Sequence, residues 1–425
     1  MPNSYKTPGV YVEEIPARVP GIAGVPTALP AFIGYTEFAA EGAYRQPVPI
    51  ASPAEYAAQF GGAAPEGSAF NLAVQIGLFY ANGGGACLVF SAGSYWEGQA
   101  PDAPAQPATD WQLATPDAGP LIAALAMAGE TSGVTMLVMP EACLLASPEY
   151  ARVIQALLQQ AGTLQDRVAI LDLPGCTTAT DFAGLQKGRA DLVAAVMPLA
   201  QFASYGAAYA PALKLLDANT PPGEFLTPPS GAIAGIWARS DATQGVWQAP
   251  ANIAVTGVAD LAYLMHDDEQ GVFNVPADGV AVDIIRAFVG RGLLVWGART
   301  LDGNSEDFRY VPVRRTVTYV EQSVKAGLQA VVFEPNAPAT WGWAKAMVED
   351  FLTGLWRQGG LQGAVPGDAF SVSCGMGSTM TSQDVINGLL RVQIRMALVR
   401  PAEFMILIIE QTMMQPSSQE APLIA

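Results

Sequence analysis

The sequence of 425 residues holds one histidine, His266, and four cysteines (Cys87, Cys143, Cys176, Cys374), none of them in a C-x-x-C pair. One imidazole leaves a single place where a Ser-His-Asp or Cys-His arrangement could be built. Scattered thiols supply neither a metal-ligand cluster nor a disulfide framework, so the expected state is reduced. Charge is scarce at 14% and mostly acidic, giving a net −17. That balance argues against nucleic acid or an anionic membrane as a partner of the whole molecule. The start of the chain has no basic stretch followed by an apolar one, so no secretory signal is expected. The longest strongly apolar run, residues 404–409, is too short to span a bilayer.

Apolar residues, in contrast, make up 51% of the chain. That is ample for a large core and leaves apolar surface that other subunits could cover. The length suggests about three domains, or one core with a large insertion. Residues 1–230 carry 8 basic and 19 acidic residues, and residues 231–425 carry 13 and 19. The first part is the more acidic and the arginines gather in the second, consistent with a solvated outer region and an arginine-rich contact region, or with a simple solubility role.

Ala31–Tyr35 reads as a short buried strand, and Ser52-Pro53-Ala54-Glu55 as a helix start with Ser as N-cap and Pro in the first turn. A helix near residues 69–80 ends at Asn82-Gly83-Gly84-Gly85, and Cys87–Phe90 follows as a strand. Residues 100–120, rich in Ala and Pro, read as a surface loop. Strands at 134–139 and 168–173 alternate with helices at 147–162 and 181–197, which implies a partly parallel α/β sheet over roughly 65–220. The prolines between Asn219 and Gly231 suggest a boundary. Beyond it, 290–296, 310–313, 370–374 and 403–409 read as strands, and 316–326 and 341–356 as helices. Trp343, Met347, Phe351 and Leu355 form the apolar stripe of the second helix.

Little points to chemistry. His266 lies in HDDEQG, whose carboxylates lack EF-hand spacing and suit a solvated loop. Asn82–Gly85 and Cys374–Thr379 are glycine-rich but have no G-x-x-x-x-G-K-[ST] pattern, so turn chemistry accounts for them. Acid pairs can be drawn anywhere among 38 carboxylates and carry no signal. The expectation is no catalytic residue, no metal site and no cofactor, in a protein with a structural role. The competing class is an α/β enzyme binding a small molecule at the strand ends of residues 65–220.

One stretch poses a question of its own. YKTPGVYVEEI, residues 5–15, reads as a strand, yet Pro16, Pro20, Gly21, Gly24 and Pro26 follow it and no hairpin mate lies nearby. The apolar run at 403–409 likewise wants ladder partners. Each pairs either within its own chain or with another one.

Five blocks resemble, in order, the tail sheath proteins of contractile phages and related contractile injection systems. They are YKTPGVYVEEI with GVPT–AFIGYTE, residues 228–252 (PPSGAIAGIWARSDATQGVWQAPAN), residues 284–303 with 307–324, VVFEPN (331–336) with the Trp-rich helix after it, and RPAEFMILIIEQ (400–411). Two positions depart from the family pattern. Asp283 stands where Asn is frequent, and Gly375 where an acid is common.

The resemblance implies an α/β (α+β) fold. Residues 1–25 would be an N-terminal linking arm and 26–64 the start of a sheath core. Residues 65–226 would be an inserted outer α/β domain, 227–400 the core domain, and 401–425 a C-terminal strand arm and tail. Val10, Tyr11, Val12, Glu13 and Ile15 would then add to a neighbour's sheet, as would Glu403, Phe404, Met405, Ile406, Leu407 and Ile408, a case of β-augmentation. Pro16, Pro20 and Pro26 would form a semi-rigid tether.

Arg391, Arg395 and Arg400, which meet no acid in sequence between Asp384 and Glu403, would touch the tube or a neighbour, unless they pair within the chain. Arg291, Arg299, Arg314 and Arg315 also fall within the matching blocks. The implied partners are the chain itself in hexameric rings stacked as a helix, an inner tube protein, and baseplate and terminal cap proteins. The implied setting is assembly in a bacterial cytoplasm into a virion or a released tail-like particle. A sheath paralogue at the baseplate or the distal end is the alternative within the class.

Overall fold

In the computed structural model, residues 21–65, 68–98, 112–216 and 224–406 are described here. The strands in chain order are β1 (Pro30–Thr36), β2 (Val48–Ile50), β3 (Cys87–Ser94), β4 (Met136–Val138), β5 (Val168–Asp172), β6 (Gly206–Ala210), β7 (Leu213–Leu216), β8 (Glu224–Thr227), β9 (Ile253–Ala254), β10 (Asp260–Leu261), β11 (Asp283–Phe288), β12 (Gly292–Val295), β13 (Phe370–Cys374) and β14 (Val392–Met396). Among the described residues the longer helices are α1 (Pro53–Phe60), α2 (Leu72–Ala81), α3 (Ala118–Glu130), α4 (Ser147–Leu164), α5 (Phe182–Val196), α6 (Ser230–Gln244), α7 (Asp267–Asn274), α8 (Val311–Gly327) and α9 (Pro338–Arg357).

A nine-stranded sheet in the order β2-β3-β1-β4-β5-β6-β11-β12-β9 forms the centre. It is parallel from β3 through β11 and antiparallel at both margins. Strands buried on both faces should be apolar throughout, as PAFIGYT and VAILD are. Alternate residues feed two separate cores. Ala31, Ile33, Leu137, Ala169 and Leu171 pack with α3, α4 and α5. Phe32, Met136, Val138, Val168 and Ile170 pack with α1, α2 and α6. The result is a three-layer α/β/α arrangement.

Local chemistry sets several joins. Ser52 Oγ accepts the Glu55 N–H at 3.2 Å, the cap expected from the sequence, and the Glu55 carboxylate accepts from Ala51 N, one residue before the cap. α2 and α6 cross closely because α6 presents glycine: a Cβ on Gly235 would lie 2.3 Å from the Phe79 carbonyl oxygen. The buried Arg167 donates to the carbonyls of Ala128 and Thr131 and so closes the C-terminal end of α3.

Three sequence expectations change. The 100–120 loop gives way to α3 from Ala118, capped by Asp117. Tyr310–Val313 is not a strand: Tyr310 is the N-cap of α8 and Pro312 lies in its first turn. The boundary expected at 219–231 falls on β8, which pairs antiparallel with β7, and on the start of α6. The central sheet also takes β1 from residues 26–64, β3 to β6 from 65–226 and β9, β11 and β12 from 227–400. The expected insertion and core therefore share one hydrogen-bonded layer.

Candidate assembly interface

The C-terminal third carries a second, smaller unit. β13 and β14 form an isolated antiparallel ribbon in register Phe370↔Met396 to Cys374↔Val392. One face, with Val372, Ile394 and Met396, packs against α8 and α9 through Val320, Val348, Leu352 and Leu355. The other carries Ser371, Gln393 and Arg395 outward. No third strand pairs with this ribbon among the described residues, so both edges offer backbone donors and acceptors. Met347 and Leu355 of the expected stripe on α9 are buried, with Trp343 and Phe351 packed alongside.

The N-terminal segment reaches this region along α8. Ile22 packs on Gly327, Gly24 lies against Tyr319, Val25 N donates to Ser323 Oγ at 3.1 Å, and Arg315 donates to Thr27 O at 3.1 Å. Pro26 thus belongs to a stretch bound to the body and not to a free tether. Val10, Tyr11, Val12, Glu13 and Ile15 lie outside the described residues, as do Leu407 and Ile408.

At the other end, residues 401–406 belong to no strand. Phe404, Met405 and Ile406 are 68, 91 and 84% exposed. Glu403, expected in the arm that adds to a neighbour's sheet, makes its side-chain hydrogen bonds within the chain. Its carboxylate accepts from Arg299 Nε at 2.8 Å and Nη2 at 2.6 Å, from Asn274 Nδ2 at 2.7 Å and from Tyr310 Oη at 2.9 Å. It is an intrachain ligand of the body, and the hydrogen bonds from Arg299 and Asn274 hold its pKa below the usual carboxylate value despite partial burial.

The arginines divide the same way. Arg315 forms a buried two-pronged pair with Asp241 at 2.9 and 2.6 Å over the Trp237 ring. Arg314 is sandwiched between Tyr205 and Phe308, and Arg291 donates to Asn252. Arg391, expected to touch the tube or a neighbour unless paired within the chain, pairs with its own Asp384 at 3.1 Å while staying largely exposed. Arg395 and Arg400 are exposed and make no ion pair among the described residues. A further apolar surface is formed by Val332, Phe333, Ile386 and Leu389, where Asn336 ties the VVFEPN turn to the carbonyls of Val385 and Leu389.

The acidic groups of the interior serve structure. Glu141 accepts from the backbone of Tyr35, Asn71 and Leu72, closing the start of α2, and burial raises its pKa to about 7. Asp172 accepts from Ser230 N at the start of α6, and burial likewise raises it to about 7. Burial raises Asp283 to about 8, although Arg299 N donates to its Oδ1 at 2.8 Å. A neutral carboxyl is close in shape to the amide of Asn, so Asp283 can occupy a position where the family pattern favours Asn.

The folded chain therefore binds protons that the unfolded chain, with Asp near 3.9, has released. Stability from this group is full below about pH 4 and is lost as pH rises toward 8. Asp283→Asn should remove that slope, so that the melting temperatures of the variant and the parent differ least below about pH 4. At pH 8 to 9 the variant should melt higher, and parallel pH profiles would contradict the assignment.

His266 caps α7, with Glu269 Oε2 accepting its backbone N–H at 2.9 Å. No group of three or more metal-ligating side chains occurs among the described residues. Asn82 is buried and bonds Leu78 O and Thr256, while Gly83 takes the left-handed backbone that ends α2. No helix among the described residues is long and apolar enough to cross a membrane.

The β13–β14 ribbon has no third strand among the described residues and shares its apolar cluster with Ile22 of the N-terminal segment. Residues 115–301 match the family model of the phage tail sheath protein central domain, and residues 304–412 that of the phage tail sheath C-terminal domain. The tail sheath protein of Burkholderia phage BcepMu is 30% identical over 153 residues, 35% of this chain and 31% of that protein's own length. The chain thus spans about a third of that relative. Two solved structures match much more fully. The anti-feeding prophage helical sheath in its contracted state has a TM-score of 0.73 at 28% identity, covering 96% of this chain and 100% of the other. A chain of the six-fold symmetrised anti-feeding prophage baseplate gives 0.72 at 28%, with the same coverage. The chain belongs to the contractile tail sheath family and is a structural subunit of a contractile sheath.

Proposed function

We propose that this chain polymerises helically around an inner tube and contracts to drive the tube through a target envelope. Stacked hexameric rings, a baseplate and a terminal cap complete the assembly. The carrying observation is the open β13–β14 ribbon in a chain whose own apolar C-terminal residues, Phe404–Ile406, are left uncovered. A neighbour's extended segment can complete the ribbon on either edge. A strand of about six residues contributes several backbone hydrogen bonds, each worth on the order of 1 kcal/mol net. Such links hold while the three-layer bodies repack. The work then comes from the difference between two packings of one chain and needs no cofactor, catalytic residue or nucleotide. Assembly in a bacterial cytoplasm, before release in a virion or tail-like particle, belongs to the same reading.

A specialised sheath paralogue next to the baseplate is a second reading, favoured by the similarity to a chain in a baseplate structure. Copies counted per particle separate the two. For the tube, Arg391 and Arg395 are the candidate contacts, being exposed on and beside β14. Replacing both with Ala should leave the fold intact and weaken tube attachment, seen as empty or shortened extended particles by electron microscopy. Full-length extended particles of normal number would remove these residues from the tube interface.

A further inference from the structure

We propose that Arg299 and Glu403 form a swivel anchor that fixes the C-terminal segment to its own body at one side chain and leaves the residues after it free to engage a neighbouring copy. Within residues 399–406, every hydrogen bond to the described residues ends on the Glu403 carboxylate. Its four donors come from three places in the fold: Arg299 after β12, Asn274 at the end of α7 and Tyr310 at the cap of α8. The exposed Phe404–Ile406 begin at the next residue.

Arg299 is set independently of Glu403. It is 3% exposed, its Nη1 donates to Gly303 O at 2.6 Å, its backbone N donates to Asp283 Oδ1, and its guanidinium lies 5.8 Å from the Tyr310 ring centroid. A planar guanidinium held this way presents a fixed fork to a carboxylate. Attachment through a side chain lets the backbone turn about the Glu403 torsions without detaching, which a ladder of backbone bonds would not allow. Tension applied beyond residue 403 is therefore delivered to the body at Arg299.

The inference rests on the reading that this segment links subunits, and the test separates the two. In the isolated chain with Cys374→Ser, which leaves three buried cysteines, a spin label is placed at Ala402→Cys or at Phe404→Cys. The label at 402 should be restricted in the parent. Glu403→Gln or Arg299→Lys should shorten its correlation time by about threefold, toward that of a freely moving side chain. The label at 404 should be mobile throughout. Equal mobility at 402 with and without the substitutions overturns the anchor, whatever the chain assembles into. Glu403→Asp, which keeps the charge but shortens the reach, serves if either variant melts well below the parent.

In assembled particles, Glu403→Gln sheaths should form and then break into short segments on contraction, where parent sheaths stay whole. Intact contracted sheaths of the variant would overturn the mechanical role. Should the parent form no sheath, the subunit-linking reading fails while the label measurement still decides the anchor.

Discussion

Gly235→Val should abolish accumulation of soluble folded protein. A Cβ at this position would lie 2.3 Å from the Phe79 carbonyl oxygen and 2.9 Å from the Asn82 Cβ, with backbone as the principal obstacle. Neither α2 nor α6 can withdraw. Gln75 of α2 donates to Thr227 Oγ1 and Pro228 O and accepts from Gly231 N, which pins the two helices at the other end of their crossing. Forcing them apart would also uncover Phe79 and Trp237, both fully buried, at about 1.5–3 kcal/mol for a side chain the size of Phe. Overpacking of well-filled sites alone costs about 1–3 kcal/mol. The sum is a large part of a typical folding free energy of about 5–15 kcal/mol. Expression followed by a solubility assay and circular dichroism checks this, and a folded variant with parental melting would show that the crossing has slack.

Asp241→Ala should be the next most damaging change. It leaves the Arg315 guanidinium buried, with only the Thr27 carbonyl and the Trp237 face for company. Removing one member of a buried pair costs about 3–5 kcal/mol, whereas replacing both by apolar groups is often near neutral. The double variant Asp241→Leu/Arg315→Met should therefore recover most of the loss in a denaturant-melting cycle. Additive losses would show that the pair is not the unit of stability. Because Arg315 also holds Thr27, the single variant should loosen the N-terminal segment where it leaves β1.

Both sites show how far the sequence could be read. Strand 31–35, the Ser52 cap and the alternation of strands and helices carried local signals, namely apolar runs, Ser-Pro starts and glycine stops. α3 and α6 did not, because α3 is rich in Ala and apolar nearly all round, and the first half of α6 is small and buried on every side, so neither shows a periodic stripe. Tyr310–Val313 reads as extended because Val and Tyr favour strands, yet Pro312 there sits in the first turn of a helix, where its missing N–H costs nothing.

The pairings were hidden for another reason. Arg299 and Glu403 are 104 positions apart and Asp241 and Arg315 are 74 apart. Nothing local marks either carboxylate as the partner. The family resemblance pointed to the chain ends as linkers, but only the geometry shows that Glu403 holds to its own body and that Arg391 is already paired.

The most direct test of the account is negative-stain electron microscopy of the purified full-length chain beside one lacking residues 1–15. Rings or helical tubes from the full chain, lost in the truncation, are the predicted result and would establish a subunit joined to its neighbours through its N-terminal segment. Monodisperse single subunits in both samples, under conditions where the tube protein is also supplied, would contradict it.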